Sequence, residues 1–152
     1  SGPDENELGL FRSFFENVPR EFTYAIEFRN PSLVTPSFYQ LMRDLNLSPV
    51  FSSWTKMPEI SEQWRIYLES ASAGDSSPLV GLGLLRPGRS YEEAVQIFQP
   101  YKEIKDIYFE GRKDLSLIAK YAVQQGRKAY ILVTNRFEGS APCSVGAILD
   151  LI

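Results

Sequence analysis

Charged and amide side chains follow several short apolar runs in this chain, and their types limit the chemistry they can do. Glu27, Arg29 and Asn30 end or follow FTYAIEF, Arg86 and Arg89 follow LVGLGLL, and Asn135 and Arg136 follow AYILVT. Glu27 and Arg29 are two positions apart, so in an extended chain both project to the side shared by Thr23 and Ala25. A carboxylate and a guanidinium on one face can hold an anionic or polyhydroxylated ligand through paired hydrogen bonds, and Glu27 is the candidate acid-base group. An ion pair that merely caps the strand end is an equal alternative. Arg86, Arg89 and Arg136 could converge on a phosphate, although Arg89 stands beside Ser90, a candidate helix N-cap, and reads better as structural. LRPGR lacks the several glycines with which backbone amides cradle an oxyanion.

Composition removes whole classes of mechanism. With no histidine, the chain lacks the commonest general base and the commonest transition-metal ligand, so serine triads and histidine zinc sites within it are excluded and no metal site is expected. Sixteen Lys and Arg are scattered among nineteen Asp and Glu, and a net charge of -3 gives no electrostatic case for nucleic acid or an anionic membrane. Cys143 is the single cysteine; it cannot form an intrachain disulfide, points to a reducing compartment such as the cytoplasm, and is expected to be a buried, inert thiol. No apolar stretch approaches the roughly 20 residues that span a bilayer. Ser1, Gly2 and Pro3 read as a tag scar or a cut point, and residues 1–152 as a single partial domain.

The elements that must position these groups alternate in period. Helical spacing is predicted over Asn6–Val18, Ser32–Leu45, Ile60–Leu68, Tyr91–Tyr101, Leu115–Gln125 and Ser144–Ile152. Strands are predicted over Phe22–Phe28, Ser48–Ser53, Leu79–Leu85 and Ala129–Thr134, the last two being continuous apolar runs that suit strands covered on both faces. NRFEGSAP reads as a loop in which Gly139 supplies a positive φ and Pro142 fixes the start of the last helix; Ser70–Ser77 reads as a flexible surface loop. Trp54 and Tyr39 are more often core than stacking surface in such a setting. Alternating strands and helices indicate parallel βαβ units, whose reactive groups gather where strands end.

Three segments also carry a family resemblance: YAIEFRNPS (24–32), LLRPGRSYEEAV (84–95) and AYILVTNRFEGSAP (129–142). The chain resembles the YecE-like family, domain of unknown function 72, from Phe11 to Ile152. The resemblance implies a parallel-stranded (β/α)8 TIM barrel of which this chain supplies about the last four strand-helix units. It places the family's acidic-aromatic-basic motif on Glu27, Phe28 and Arg29, and its last-strand motif on Asn135, Glu138, Gly139, Ala141 and Pro142. Thr134 departs from a second asparagine there. The family has no assigned reaction, and its cofactor is unknown. Half a barrel would expose two strand edges, so the chain is expected to need a missing N-terminal half or self-association. Two functions follow as expectations: a small anionic or sugar-like ligand bound at the C-terminal rim by Arg29, Asn30, Arg86, Asn135 and Arg136, with Glu27 serving hydrolase, lyase or isomerase chemistry; or a non-catalytic interaction or scaffold protein.

Overall fold

A computed structural model describes residues 4–71 and 75–152; the tag-scar reading of Ser1–Pro3 and the middle of the Ser70–Ser77 loop lie outside them. Four strands, β1 (Ala25–Ile26), β2 (Ser48–Ser53), β3 (Leu79–Gly83) and β4 (Ala129–Val133), form one parallel sheet in the order β1-β2-β3-β4. The helices are α1 (Glu5–Glu16), α2 (Pro36–Asp44), α3 (Ile60–Glu69), α4 (Tyr91–Phe98), α5 (Phe109–Gln124), α6 (Asn135–Glu138) and α7 (Ala141–Leu149). The chain is therefore an α/β protein with a parallel sheet and alternating helices. Among the described residues no helix is long and apolar enough to cross a membrane.

Local sequence chemistry sets most boundaries. Asp4 and Ser90 form capping boxes with Glu7 and Glu93, each satisfying orphan amides at the first turn of α1 and α4. The helix expected over Ser32–Leu45 divides into a 3-10 turn (Pro31–Leu33) and α2, because Pro36 holds Thr35 extended and Thr35 then caps Phe38. Pro100 likewise stops α4 at Phe98 by holding Gln99 extended. The last helix starts at Ala141 rather than Ser144, and the expected NRFEGSAP loop contains α6. Of FTYAIEF, only Ala25 and Ile26 pair with β2.

The register separates two sheet faces. A Cβ on Gly81 would lie 2.8 Å from Leu115 Cδ2, so Gly81 and its partners Phe51 and Ile131 face α5, and the missing side chain lets the helix approach closely. Here sits the main core, in which Phe51, Trp64, Tyr67 and Tyr39 meet edge to face or stacked. Each full burial of a side chain of this size contributes roughly 1.5–3 kcal/mol. The opposite face carries Val50 and Val80, both buried, and then Tyr130 and Leu132, 53% and 51% exposed. The expectation that β4 is covered on both faces is therefore corrected by Tyr130 and Leu132, and among the described residues β4 pairs with β3 alone and lies at a sheet edge. Cys143 also departs from expectation, being exposed rather than buried.

Candidate functional site

Because the four strands are parallel, their C-terminal tails reach one rim. After β1, Arg29 Nε donates to Glu27 Oε1 at 2.8 Å and Nη2 to Oε2 at 3.3 Å. The guanidinium lies over the Trp54 ring, 3.9 Å from its centroid, so the tail of β2 supports the tail of β1. Trp54 is half-buried, packs against both apolar clusters and also carries a cation, whereas Tyr39 is wholly buried in the core. Arg29 remains 48% exposed, which leaves donor edges open to solvent. Asn30 has a structural role: its Oδ1 accepts from the Ser32 backbone N–H and hydroxyl and caps the 3-10 turn, so only its amino group is uncommitted.

The tail of β3 is built differently. Arg86 donates from Nη2 to the Ile107 carbonyl at 2.7 Å, pairs with Asp106 at 3.4 Å, and packs over the Tyr108 ring. Arg89 donates to the same Asp106 oxygen at 2.5 Å and lies over Phe98. One carboxylate thus serves two guanidiniums, and Arg86 Nε and Arg89 Nη1 are buried with no acceptor among the described residues. Leu85, Ala94 and Phe98 form a small second core with Trp54 and Tyr101 packed against it, which joins the β2 and β3 tails. Tyr108 donates its hydroxyl to Glu59, and burial followed by that carboxylate pushes the phenol well above its ordinary value.

After β4, Thr134 Oγ1 donates to the Leu84 carbonyl, and Asn135 Oδ1 accepts from the Ala141 N–H at 2.8 Å, fixing the start of α7. Arg136 lies over the Tyr91 ring and has no carboxylate partner among the described residues. Glu138 is wholly buried: Arg112 Nε donates to both of its oxygens, the Tyr108 N–H to one and the Ser144 hydroxyl to the other. Gly139 has φ +117°, and a Cβ there would meet the Glu103 carbonyl at 2.4 Å, so glycine is required twice over.

All six candidates therefore follow strand ends at one end of the sheet, but they do not meet as one group: Glu27 and Arg29 pair over Trp54, Asn30 caps the 3-10 turn, Arg86 meets Asp106 and Tyr108, Asn135 holds the start of α7, and Arg136 lies over Tyr91 of α4. Asp106, Glu59 and Gln63 were not foreseen. Asp106 and Glu59 are ordinary acids in sequence, whereas Gln63 sits within the apolar stripe Ile60, Trp64, Tyr67, and a buried amide among apolar neighbours is a legible signal. Among the described residues there is no group of three or more His, Cys, Asp or Glu that could hold a metal ion.

Comparison with known proteins bears on this rim only through family and fold. A family model described as a protein of unknown function, DUF72, matches residues 1–152. A crystal structure of a DUF72 family protein from Enterococcus faecalis V583 is similar at TM-score 0.58 and 17% identity, over 99% of this chain and 55% of that one. The chain thus spans about half the length of that relative. No curated protein matches it.

Proposed function

The chain belongs to the DUF72 family, and on that premise we propose that the rim at the C-terminal ends of β1–β4 binds a small anionic or sugar-like ligand. The carrying observation is a cluster of four guanidiniums at strand ends: Arg29, Arg86 and Arg89 pair with Glu27 and Asp106, Arg136 has no carboxylate partner among the described residues, and the nearby Glu59 and Glu93 are engaged by the Tyr108 hydroxyl and the Ser90 cap. Guanidiniums with free edges recognise phosphate or carboxylate geometry, and those stacked on rings, as Arg29 and Arg136 are, are held ready for it. The amino groups of Asn30 and Asn135 supply further donors. Glu27, held by Arg29, is the group that would move a proton in hydrolase, lyase or isomerase chemistry.

The reading also takes residues 1–152 as a partial domain, the last four units of a (β/α)8 barrel, in a cytoplasmic protein whose Cys143 stays reduced. The edge positions of β1 and β4 among the described residues, and the exposed apolar side chains Tyr130 and Leu132 on β4 itself and Leu10 and Phe14 on α1, support a sheet continued by further strands or a second copy. The same surfaces favour a second reading, a non-catalytic interaction protein. Titration with inorganic phosphate, followed by NMR and then by a thermal-shift panel of phosphorylated sugars, separates the two. Binding that disappears in Arg29→Ala with Arg136→Ala supports the ligand site; binding unchanged in that double variant removes it. Light scattering that shows a compact, cooperatively unfolding monomer of the 152-residue chain would overturn the partial-barrel reading.

A further inference from the structure

The rim depends on a residue outside it. After Ile26 the β1 chain leaves the sheet, so among the described residues no strand neighbours this edge of β2 beyond Pro49. Ser48 turns its N–H toward β1, where it meets the Tyr24 carbonyl, and the carbonyl of Ser53 turns the other way, to Leu85 of the β3 tail. By alternation Ser52 presents its N–H and C=O to the open edge. Both are satisfied by the side chain of Gln63: the Ser52 N–H donates to Oε1 at 3.2 Å, and Nε2 donates to the Ser52 carbonyl at 2.8 Å. A carboxamide has the donor and acceptor of a peptide group, and here it completes the ladder as the next strand would have done.

The same Nε2 donates to the Pro58 carbonyl at 2.8 Å. One wholly buried amide therefore ties down both ends of the segment that runs from Ser52 to Pro58, and Trp54 lies within it. Trp54 carries the Arg29 guanidinium, and Arg29 carries Glu27. We infer that Gln63 is the positioning residue of the rim: it replaces β1 in the ladder, which lets the Glu27–Arg29 tail swing clear of the sheet, and it fixes the indole on which that tail rests. This rests on the proposed ligand-binding reading for its functional consequence, but not for the placement of Trp54.

The test compares Gln63→Met, which keeps chain length but neither donates nor accepts, with Ile118→Val, a core change in α5 outside this segment. In the protein with its sheet completed, by further strands or by a second copy, the Trp54 indole N–H is assigned by Trp54→Phe and followed by NMR, and inorganic phosphate is titrated. Gln63→Met is expected to shift the Trp54 indole signal and weaken phosphate binding at least tenfold, while Ile118→Val, though less stable, leaves both as they were. A folded Gln63→Met with an unmoved Trp54 indole overturns the inference. If the unaltered chain binds no phosphate, the ligand-binding reading fails, and the indole shift alone decides the positioning role. Should Gln63→Met not fold, hydrogen exchange of the Ser52 amide in the unaltered chain decides: protection like that of the paired β2 amides supports the surrogate strand, and exchange at a loop rate overturns it.

Discussion

Carboxylate and guanidinium meet after the first strand and after the last, in opposite surroundings. Glu27 and Arg29 pair over Trp54 with much of the guanidinium in solvent, whereas Glu138 and Arg112 pair where the carboxylate is 0% exposed. The buried carboxylate has every strong donor it needs, from Arg112, the Tyr108 backbone and Ser144, and in return it fixes the segment before α5, the last strand's tail and α7 to one another. Arg112 Nη2 stays buried without a partner among the described residues, but neither oxygen of the carboxylate is left to bind a ligand. The outer pair satisfies only itself and leaves donors facing water. Identical chemistry thus serves as a structural hub in one place and as an open recognition surface in the other, and burial decides which.

The comparison breaks most visibly at Glu138. Removing one member of a buried pair strands the other charge, which typically costs about 3–5 kcal/mol. Glu138→Ala is therefore expected to lower the melting temperature by about 6–20 °C, since for a chain of this size each kcal/mol corresponds to about 2–4 °C. Calorimetry showing a shift of only a degree or two would mean that the hub is not structural. The hub also has an alkaline signature, because Tyr108 beside it has a phenol raised by burial and by Glu59, and Tyr39 and Tyr67 are raised chiefly by burial. A raised folded value favours the protonated phenol, so that stabilisation is complete below the ordinary value of 10.0 and is lost as pH climbs above it. Each such phenol steepens the loss by at most about 1.4 kcal/mol per pH unit. Urea midpoints measured from pH 8 to 11 should fall above 10, less steeply in Tyr108→Phe; a flat profile to pH 11 would contradict the assignment.

How far each pair could be read from sequence follows from the range of its partners. Glu27 and Arg29 are two residues apart, and period-2 alternation alone puts them together, as the structure shows. Ser48–Ser53, the Ser90 cap and the positive φ of Gly139 were legible for the same reason, since local geometry fixes them. Of the partners of Glu138 only Ser144 is near, six residues on; Arg112 lies 26 residues away and Tyr108 30, and no local pattern announces them. Asp106 joins Arg86 and Arg89 across similar gaps. FTYAIEF has strand composition throughout, yet only Ala25 and Ile26 pair, because the next place on the β2 ladder belongs to Gln63. β propensity describes a run's fitness for a sheet and not the vacancy beside it.

The smallest effect is expected at the outer pair, and it is the one that bears on function. An exposed ion pair is worth about 0–1 kcal/mol, and here solvent reaches Arg29 freely. Glu27→Ala should move the melting temperature by no more than about 4 °C. That small difference should vanish between 0.15 and 1 M salt, as the screening length contracts from about 8 to 3 Å. The loss at Glu138→Ala should persist across the same range, because its charges are shielded from ions by protein. If Glu27→Ala were instead as damaging as Glu138→Ala, and equally indifferent to salt, the Glu27–Arg29 pair would be a strand cap like the inner one. The rim would then lose its only acid-base candidate and Arg29 its role as an exposed anion donor, leaving Arg136 on Tyr91 as the cation around which a ligand would have to be sought.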